Sequence, residues 1–235
     1  MKVAPTTRLS PAHKWELASL GRRVPRSLRQ ARDLSTARRI VATAEDIFAE
    51  QGLAGARMDE IARAAKVNKA LLYYYFRSKE ELYRFVLETL LPQLREQVAE
   101  AGVERPSPSK LLSAIVDRFF DFVLAHPNYP RLIQREIMSR GPNMKWIVAE
   151  HYRPLHGRLV RLIEDGVSAG DFRTVDAGNA AVTVISMMVH YFAAAPVLRS
   201  VLGHDPLRPR EVAKRREAVQ DFLEHGLFRA GAGVR

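Results

Sequence analysis

The sequence predicts an all-α protein, and three observations carry that reading. From Ser35 onward, apolar residues recur at helical spacing, as in Ile40, Ala44, Ile47 and Phe48. No segment alternates apolar and polar residues at the period of a strand. Gly, Pro and capping residues fall mostly between the periodic segments, where helices start and stop. The 235 residues are 47% apolar and 27% charged, a normal composition for a folded chain of one large or two modest domains. There is no cysteine, which excludes disulfides, thiolate zinc sites and cysteine nucleophiles. A net charge of +11 makes nucleic acid or another anionic surface the first partner to consider.

Residues 1–34 stand apart. Eight Lys or Arg face only Glu16 and Asp33, a surplus of +6 within the chain's +11. Pro5, Pro11, Gly21 and Pro25 interrupt any long helix, so a basic flexible N-terminal arm is expected, either touching DNA phosphates or simply solvated. The first helix then runs to a stop at Gly52. A short helix over about Asp59–Ala65 opens with two acids at the positive end of its dipole. Asn68 is suited to cap another short helix through Tyr75. Ser78-Lys79-Glu80-Glu81 reads as a capping box for a longer helix carrying Leu82, Phe85, Val86 and Leu90 on one face. That helix tolerates Pro92 and stops by Gly102 and the Pro106-Ser107-Pro108 cluster.

Further amphipathic helices are expected over Lys110–Ala125, Tyr129–Ser139, Met144–Ser168, Ala177–Leu202 and Arg210–Leu227, with Pro154 kinking or splitting the third. Ala177–Leu198 carries no formal charge and is long enough for a bilayer span. Asn179, Thr183, Ser186, His190 and Pro196 interrupt it, so a helix buried inside protein fits better. The first thirty residues contain no apolar run of the signal-peptide kind. A cytoplasmic, DNA-associated protein with no membrane partner is expected.

Two short helices joined by a three- or four-residue turn, the second one capped, outline a helix-turn-helix over about 57–76. Ile61, Ala65, Val67 and Leu72 are apolar where such a unit needs a core, and Ala62 is small where the helices cross. The second helix offers Lys69, Ala70, Tyr73 and Tyr74 at its start and outer face, and such a helix enters the major groove with its N-terminal residues against base edges. The competing reading takes Tyr73-Tyr74-Tyr75-Phe76 as an ordinary aromatic core patch. Net charge does not separate the two, because eight cations oppose seven acids over residues 35–82. Placement does, since the six cations from Arg57 to Lys79 lie in or beside the proposed reading surface.

The run from Ile61 to Leu82 resembles the DNA-binding segment of the TetR family of bacterial transcriptional regulators, through Leu72, Tyr73, Tyr75, Phe76 and Lys79. Phe48-Ala49-Glu50-Gln51-Gly52 is similar to the end of that family's first helix, and the likeness covers about residues 36–90. The resemblance implies about nine helices: a three-helix helix-turn-helix DNA-binding domain over 35–92, then a C-terminal helical ligand-binding and dimerisation domain over 93–235. DNA contacts are expected from Arg57, Lys66, Asn68, Lys69, Ala70, Leu71, Tyr73, Tyr74, Tyr75 and Lys79, and the resemblance assigns roles to six of them. Of these, Lys69, Ala70 and Leu71 would face bases, Tyr73 and Tyr75 phosphates or base edges, and Lys79 a phosphate. Two positions depart from the family pattern. Met58 replaces a capping hydroxyl residue, and Lys66 replaces a turn glycine, where positive φ costs on the order of 1 kcal/mol unless a phosphate contact offsets it.

The same resemblance implies a repressor that binds a palindromic double-stranded DNA operator as a homodimer through its last two helices, where Ala180, Ala181, Ala193 and Ala194 permit close packing. A small, largely apolar effector would release it, with Phe119, Phe122, Trp146, Tyr152, Met187, His190 and Tyr191 as candidate pocket residues. No cofactor and no enzymatic activity are expected. Gly166-Val-Ser168-Ala-Gly170 matches a hydrolase nucleophile elbow, but a helix runs into it where a strand is required, so Ser168 reads as a helix end. Glu150, His151 and His156 suggest a metal, yet the two histidines are five apart and do not share a helix face. The remaining alternative, a non-specific basic DNA-packing protein, leaves the large apolar helical domain without a purpose.

Overall fold

The structure, a computed structural model, describes residues 31–101 and 106–229. Residues 1–30 of the expected arm, and the expected stop at Gly102, lie outside the described residues. The chain divides between Leu90 and Leu91 into two compact units. All regular elements among the described residues are helices, so the all-α reading holds, and an isolated antiparallel bridge between Phe172 and Phe228 is the one pairing of extended backbone.

The first unit comprises α1 (Ala31–Gly55), α2 (Met58–Ala64), α3 (Lys69–Tyr75) and the start of α4 (Lys79–Glu100). The chain is already helical at Ala31, four residues before the expected start. Regular geometry in α1 breaks at Gly52, whose φ of 72° is open to glycine and strained for other residues. Ile40, Ala44, Phe48, Ile61, Leu72, Phe76, Leu82 and Val86 form the core. Phe48 meets Tyr83 edge-on at 4.9 Å and Phe76 meets Phe85 at 5.3 Å. Arg39 Nε donates to the Ala65 carbonyl at 2.7 Å, tying α1 to the end of α2.

The second unit comprises the rest of α4, then α5 (Pro108–Ala125), α6 (Tyr129–Met138), α7 (Met144–Ile147), α8 (Arg153–Ser168), α9 (Ala177–Ala193), α10 (Ala195–Leu202) and α11 (Pro209–Gly226). α5 packs on α8, α9 and α11, and α8 lies along α9. Two of the expected helices are divided, each at a proline. Pro154 has no N–H for the Glu150 carbonyl, and the expected Met144–Ser168 helix becomes α7, a π-helical turn over Val148–Tyr152, and α8. Pro196 has the same effect on Ala177–Leu202, which becomes α9 and α10 with a 72° bend between them. No single helix among the described residues is long and apolar enough to cross a membrane.

The segment around Ser168 is a helix stop. Gly170 has φ 77°, which reverses the chain after α8, and the Phe172 N–H returns to the Gly166 carbonyl at 3.0 Å. Phe172 is buried, stacks on Phe228 at 5.3 Å and presses against Gly166, where an added Cβ would lie 2.3 Å from its ring. Both glycines of the apparent elbow are thus accounted for by backbone reversal and packing, and Ser168 itself is exposed.

Alanine at Gly166 gains about 1 kcal/mol of helix propensity, but the ring it strikes is held on both sides, and overpacking of that kind costs about 1–3 kcal/mol. Gly166→Ala is therefore expected to lower unfolding free energy by up to about 2 kcal/mol in urea denaturation. Ser168→Ala is expected to stay within about 0.5 kcal/mol of the parent protein.

Candidate nucleic-acid interface and internal cavity

α3 is seven residues long, too short to stand alone, and its shape follows from one cap and one buried face. The Asn68 side chain accepts from the Leu71 N–H at 2.7 Å, as expected of the N-cap. Leu72, Tyr75 and Phe76 point into the core. Lys69, Ala70, Tyr73 and Tyr74 are exposed, the two tyrosines by 42% and 62%, and Leu71 is half-buried at the edge. Large aromatic side chains held in solvent on a docked helix are costly unless a partner covers them.

Tyr75 differs from its neighbours: it is 3% exposed, packs edge-on against Tyr74 at 5.5 Å and sits in the core beneath the outer face. The aromatic run therefore serves both roles that the sequence left open, Tyr73 and Tyr74 outward and Tyr75 and Phe76 inward. The helical period of 3.6 decides which is which.

Cations surround this face. Arg57, Lys69, Arg77 and Lys79 border one shallow depression with Tyr73, against two acids, Asp59 and Glu80. Lys69 Nζ pairs with Asp59 at 2.8 Å and lies over the Tyr73 ring at 6.0 Å. The Asp59 hydrogen bond, with the charge behind it, raises the Lys69 ammonium above its ordinary pKa, so it stays cationic. Both partners are more than half exposed, and such a pair opens at little cost to a competing phosphate. Lys79 Nζ donates to the Ala54 and Ala56 carbonyls at 3.3 and 3.0 Å, which holds the end of α1 beside the first turn of α4.

Both departures from the family pattern have a structural counterpart. α2 begins at Met58, which is buried, and its N-cap residue Arg57 makes no side-chain cap bond. The missing hydroxyl is thus replaced by packing. Lys66 adopts φ 53° with its side chain exposed, the left-handed turn residue that was expected. The capping box is offset by one residue. The Glu81 N–H donates to Ser78 Oγ at 3.1 Å, while the Glu81 carboxylate accepts from the N–H of Arg77 instead of Ser78.

The second unit encloses a cavity of about 500 Å³ lined by α4, α5, α6, α8, α9 and the π-helical turn. Two of the seven expected pocket residues, Phe119 and Tyr152, line it. The other five lie elsewhere. Phe122 is fully buried against His126 and Tyr129, Trp146 packs edge-on to His151, and the Met187 carbonyl accepts from Arg215. The Tyr191 hydroxyl donates to the Pro206 carbonyl at 2.6 Å, and His190 is exposed. His156 joins the lining and His151 is buried, which separates the two histidines of the apparent metal pattern.

Sequence reasoning missed Tyr129, Ile133 and Ile185, because a lining side chain is indistinguishable by type from a core one. A usable signal lay where the π-helical turn runs into α8, with Leu155 and Leu159, and Tyr152 and His156, repeating at i, i+4. Tyr129 and Tyr152 hydrogen-bond through their hydroxyls. Burial pushes the Tyr152 phenol up to about 12 and the Tyr129 phenol well above its ordinary value, so both remain protonated.

Comparison with known proteins follows the same division. A family model described as bacterial regulatory proteins, tetR family, matches residues 40–86, and one described as tetracyclin repressor-like, C-terminal domain, matches residues 108–223. The HTH-type transcriptional repressor NicS of Pseudomonas putida is 27% identical over 195 residues, covering 81% of this chain and 91% of that protein. The HTH-type transcriptional activator FasR of Mycolicibacterium smegmatis is 30% identical over 168 residues, covering 71% and 74%. The solved ketosteroid transcriptional regulator KstR2 of Mycobacterium tuberculosis shares the fold with a TM-score of 0.69 at 19% identity, covering 82% of this chain and 95% of its own.

Lys66→Gly separates strain from contact. Removing the left-handed lysine is expected to raise stability by about 1 kcal/mol in urea denaturation. If the side chain holds a phosphate, DNA affinity falls and the slope of log affinity against log salt becomes shallower by about one. Higher stability with unchanged affinity would leave Lys66 no role in DNA binding.

Proposed function

The chain belongs to the TetR family of bacterial regulatory proteins and is a sequence-specific DNA-binding transcriptional regulator, and from that premise we propose that it is a dimeric repressor released from a palindromic operator by a small molecule. The observation that carries the DNA-binding site is the division of α3 into a buried face and an exposed one. Lys69, Ala70 and Leu71 lead that helix into the major groove, and Tyr73 and Tyr74 follow on its outer side. Ala70 permits close approach of the backbone, and Lys69 leaves Asp59 for a base edge. Arg57, Lys66 and Lys79 take phosphates, with Asn68 holding the helix start. The surface works in the cytoplasm, on DNA.

A second copy of the chain is the natural cover for the apolar residues that the last helices leave exposed. Val182 on α9, Val197 and Val201 on α10 and Phe222 on α11 are each more than half exposed. A two-fold pair of reading heads requires a palindrome with half-site centres about 34 Å apart or somewhat more. The effector occupies the cavity of the second unit and favours a head spacing that no longer fits two successive major grooves. Repression is favoured over activation by the NicS relative, and the FasR relative is an activator.

Selection of bound duplexes from a random DNA pool at near-physiological salt is expected to recover a palindrome. A steep salt dependence with no recovered motif would favour non-specific packing instead. On the selected operator, Lys69→Ala is expected to cost about 1–3 kcal/mol and to relax specificity at one position of each half-site. Arg57→Ala weakens all sequences alike and makes the salt slope shallower by about one. Phe222→Asp is expected to shift the protein from dimer to monomer in sedimentation at micromolar concentration.

A further inference from the structure

The cavity of the second unit is chemically one-sided. Along α4, α5, α6 and α9 its wall is aliphatic or aromatic, through residues such as Leu94, Ile115, Ile133, Ile185 and Met188. Its polar groups gather on one stretch of chain. Tyr152 closes the π-helical turn, Arg153, His156 and Arg158 follow on the first turns of α8, and Tyr129 of α6 bonds to Tyr152. Single π-helical turns recur at functional sites, and this one delivers Val148 and Tyr152 to the lining.

The inventory at that end consists of donors and cations. A hydrogen bond between two hydroxyls uses one of their two O–H groups, so the Tyr129–Tyr152 pair keeps one O–H to donate. Arg153 and Arg158 have donors only, and His156 adds a ring N–H. Arg153 is exposed and Arg158 donates to the Ala99 carbonyl at 3.5 Å at the protein surface, so the two guanidiniums stand at the mouth of the cavity. No Asp or Glu belongs to the lining. A cationic ligand would meet like charge with no acid to receive it, and an uncharged apolar ligand would leave this end unmatched.

We infer that the effector is an amphipathic anion, an apolar body lying along α4, α5, α6 and α9 with a carboxylate-type head against Tyr152 and His156, near the two arginines at the mouth. The assignment rests on the reading of this cavity as the effector site. It specifies what that site selects, an acid over the alcohol or amine of the same shape. The apolar wall accepts many bodies of suitable size, and the head group supplies the discrimination.

The test uses the full chain and three probes that share one ten-carbon tail: decanoate, decanol and decyltrimethylammonium. Each is titrated below its aggregation concentration and read by calorimetry. Decanoate is expected to bind at least about tenfold more tightly than decanol, and the ammonium to show no measurable binding. Tyr152→Phe and His156→Gln are expected to narrow the decanoate-to-decanol ratio to below about threefold, with circular dichroism melts as the control for folding. Equal affinity for decanoate and decanol, preference for the ammonium, or no binding by any of the three overturns the assignment. Operator binding is measured separately with decanoate present. Decanoate that binds with the expected preference yet leaves operator affinity unchanged supports the head-group assignment and overturns ligand release instead.

Discussion

A helix of seven residues has no stability of its own in water, so α3 exists only because Leu72, Tyr75 and Phe76 are anchored in a core. Burying side chains of this size contributes roughly 1.5–3 kcal/mol each, far more than the exposed Lys69–Asp59 pair can supply. Every feature of the reading surface descends from that anchorage. It fixes the rotation of the helix about its axis, and rotation decides that Tyr73 and Tyr74 face solvent while Tyr75 does not. The Asn68 cap fixes where the helix starts, hence which three residues lead it. Buried apolar groups hold the scaffold, and the tyrosines and cations of the outer face lie on its exposed side.

Prolines impose the corresponding constraint on the second unit. Without an N–H, Pro154 and Pro196 each forbid one helical hydrogen bond, and each ends what its apolar periodicity would have continued. Ahead of Pro154, the π-helical turn places Tyr152 into the cavity wall beside the start of α8. At Pro196 a charge-free run that could have crossed a bilayer by length becomes two helices bent by 72°. Pro92 shows that position matters, since α4 continues past it to Glu100.

Helical spacing located most elements within a few residues, since a face repeating at 3.6 residues is visible in the chain. The split expected at Pro154 is present, and spacing failed only where Pro196 overrode the pattern at Ala194, because periodicity counts apolar positions and not backbone hydrogen bonds. Capping chemistry was legible in detail at Asn68 and Lys66, where one residue type meets one backbone requirement. The cavity was legible only in part. Large aromatics were the natural candidates, yet Phe122 fills core and Trp146 packs on His151, while Ile133 and Ile185 face the space. Which side of an apolar residue is empty is a property of packing among helices distant in sequence, and no local pattern encodes it. The Phe172–Phe228 bridge escaped for the same reason, as a single pairing of residues far apart in the chain.

On the proposed mechanism, an effector acts on DNA affinity only through what it changes, and α4 is the element on which both sites have residues. Lys79 lies at its first turn, and Leu94 and Val98 line the cavity from its later turns. Pro92, two residues before the cavity-lining Leu94, has no N–H for the Glu88 carbonyl. A ligand that must move a population from 1:99 to 99:1 has to bind one state about 10⁴-fold more tightly than the other. An aliphatic wall that closes equally well around its guest in both states supplies none of that difference. On this proposal directional contacts supply it, because a hydrogen bond to Tyr152 or His156 is made in one geometry and lost in another. The proposed polar head-group site would then govern both which ligand binds and whether its binding is felt at the DNA.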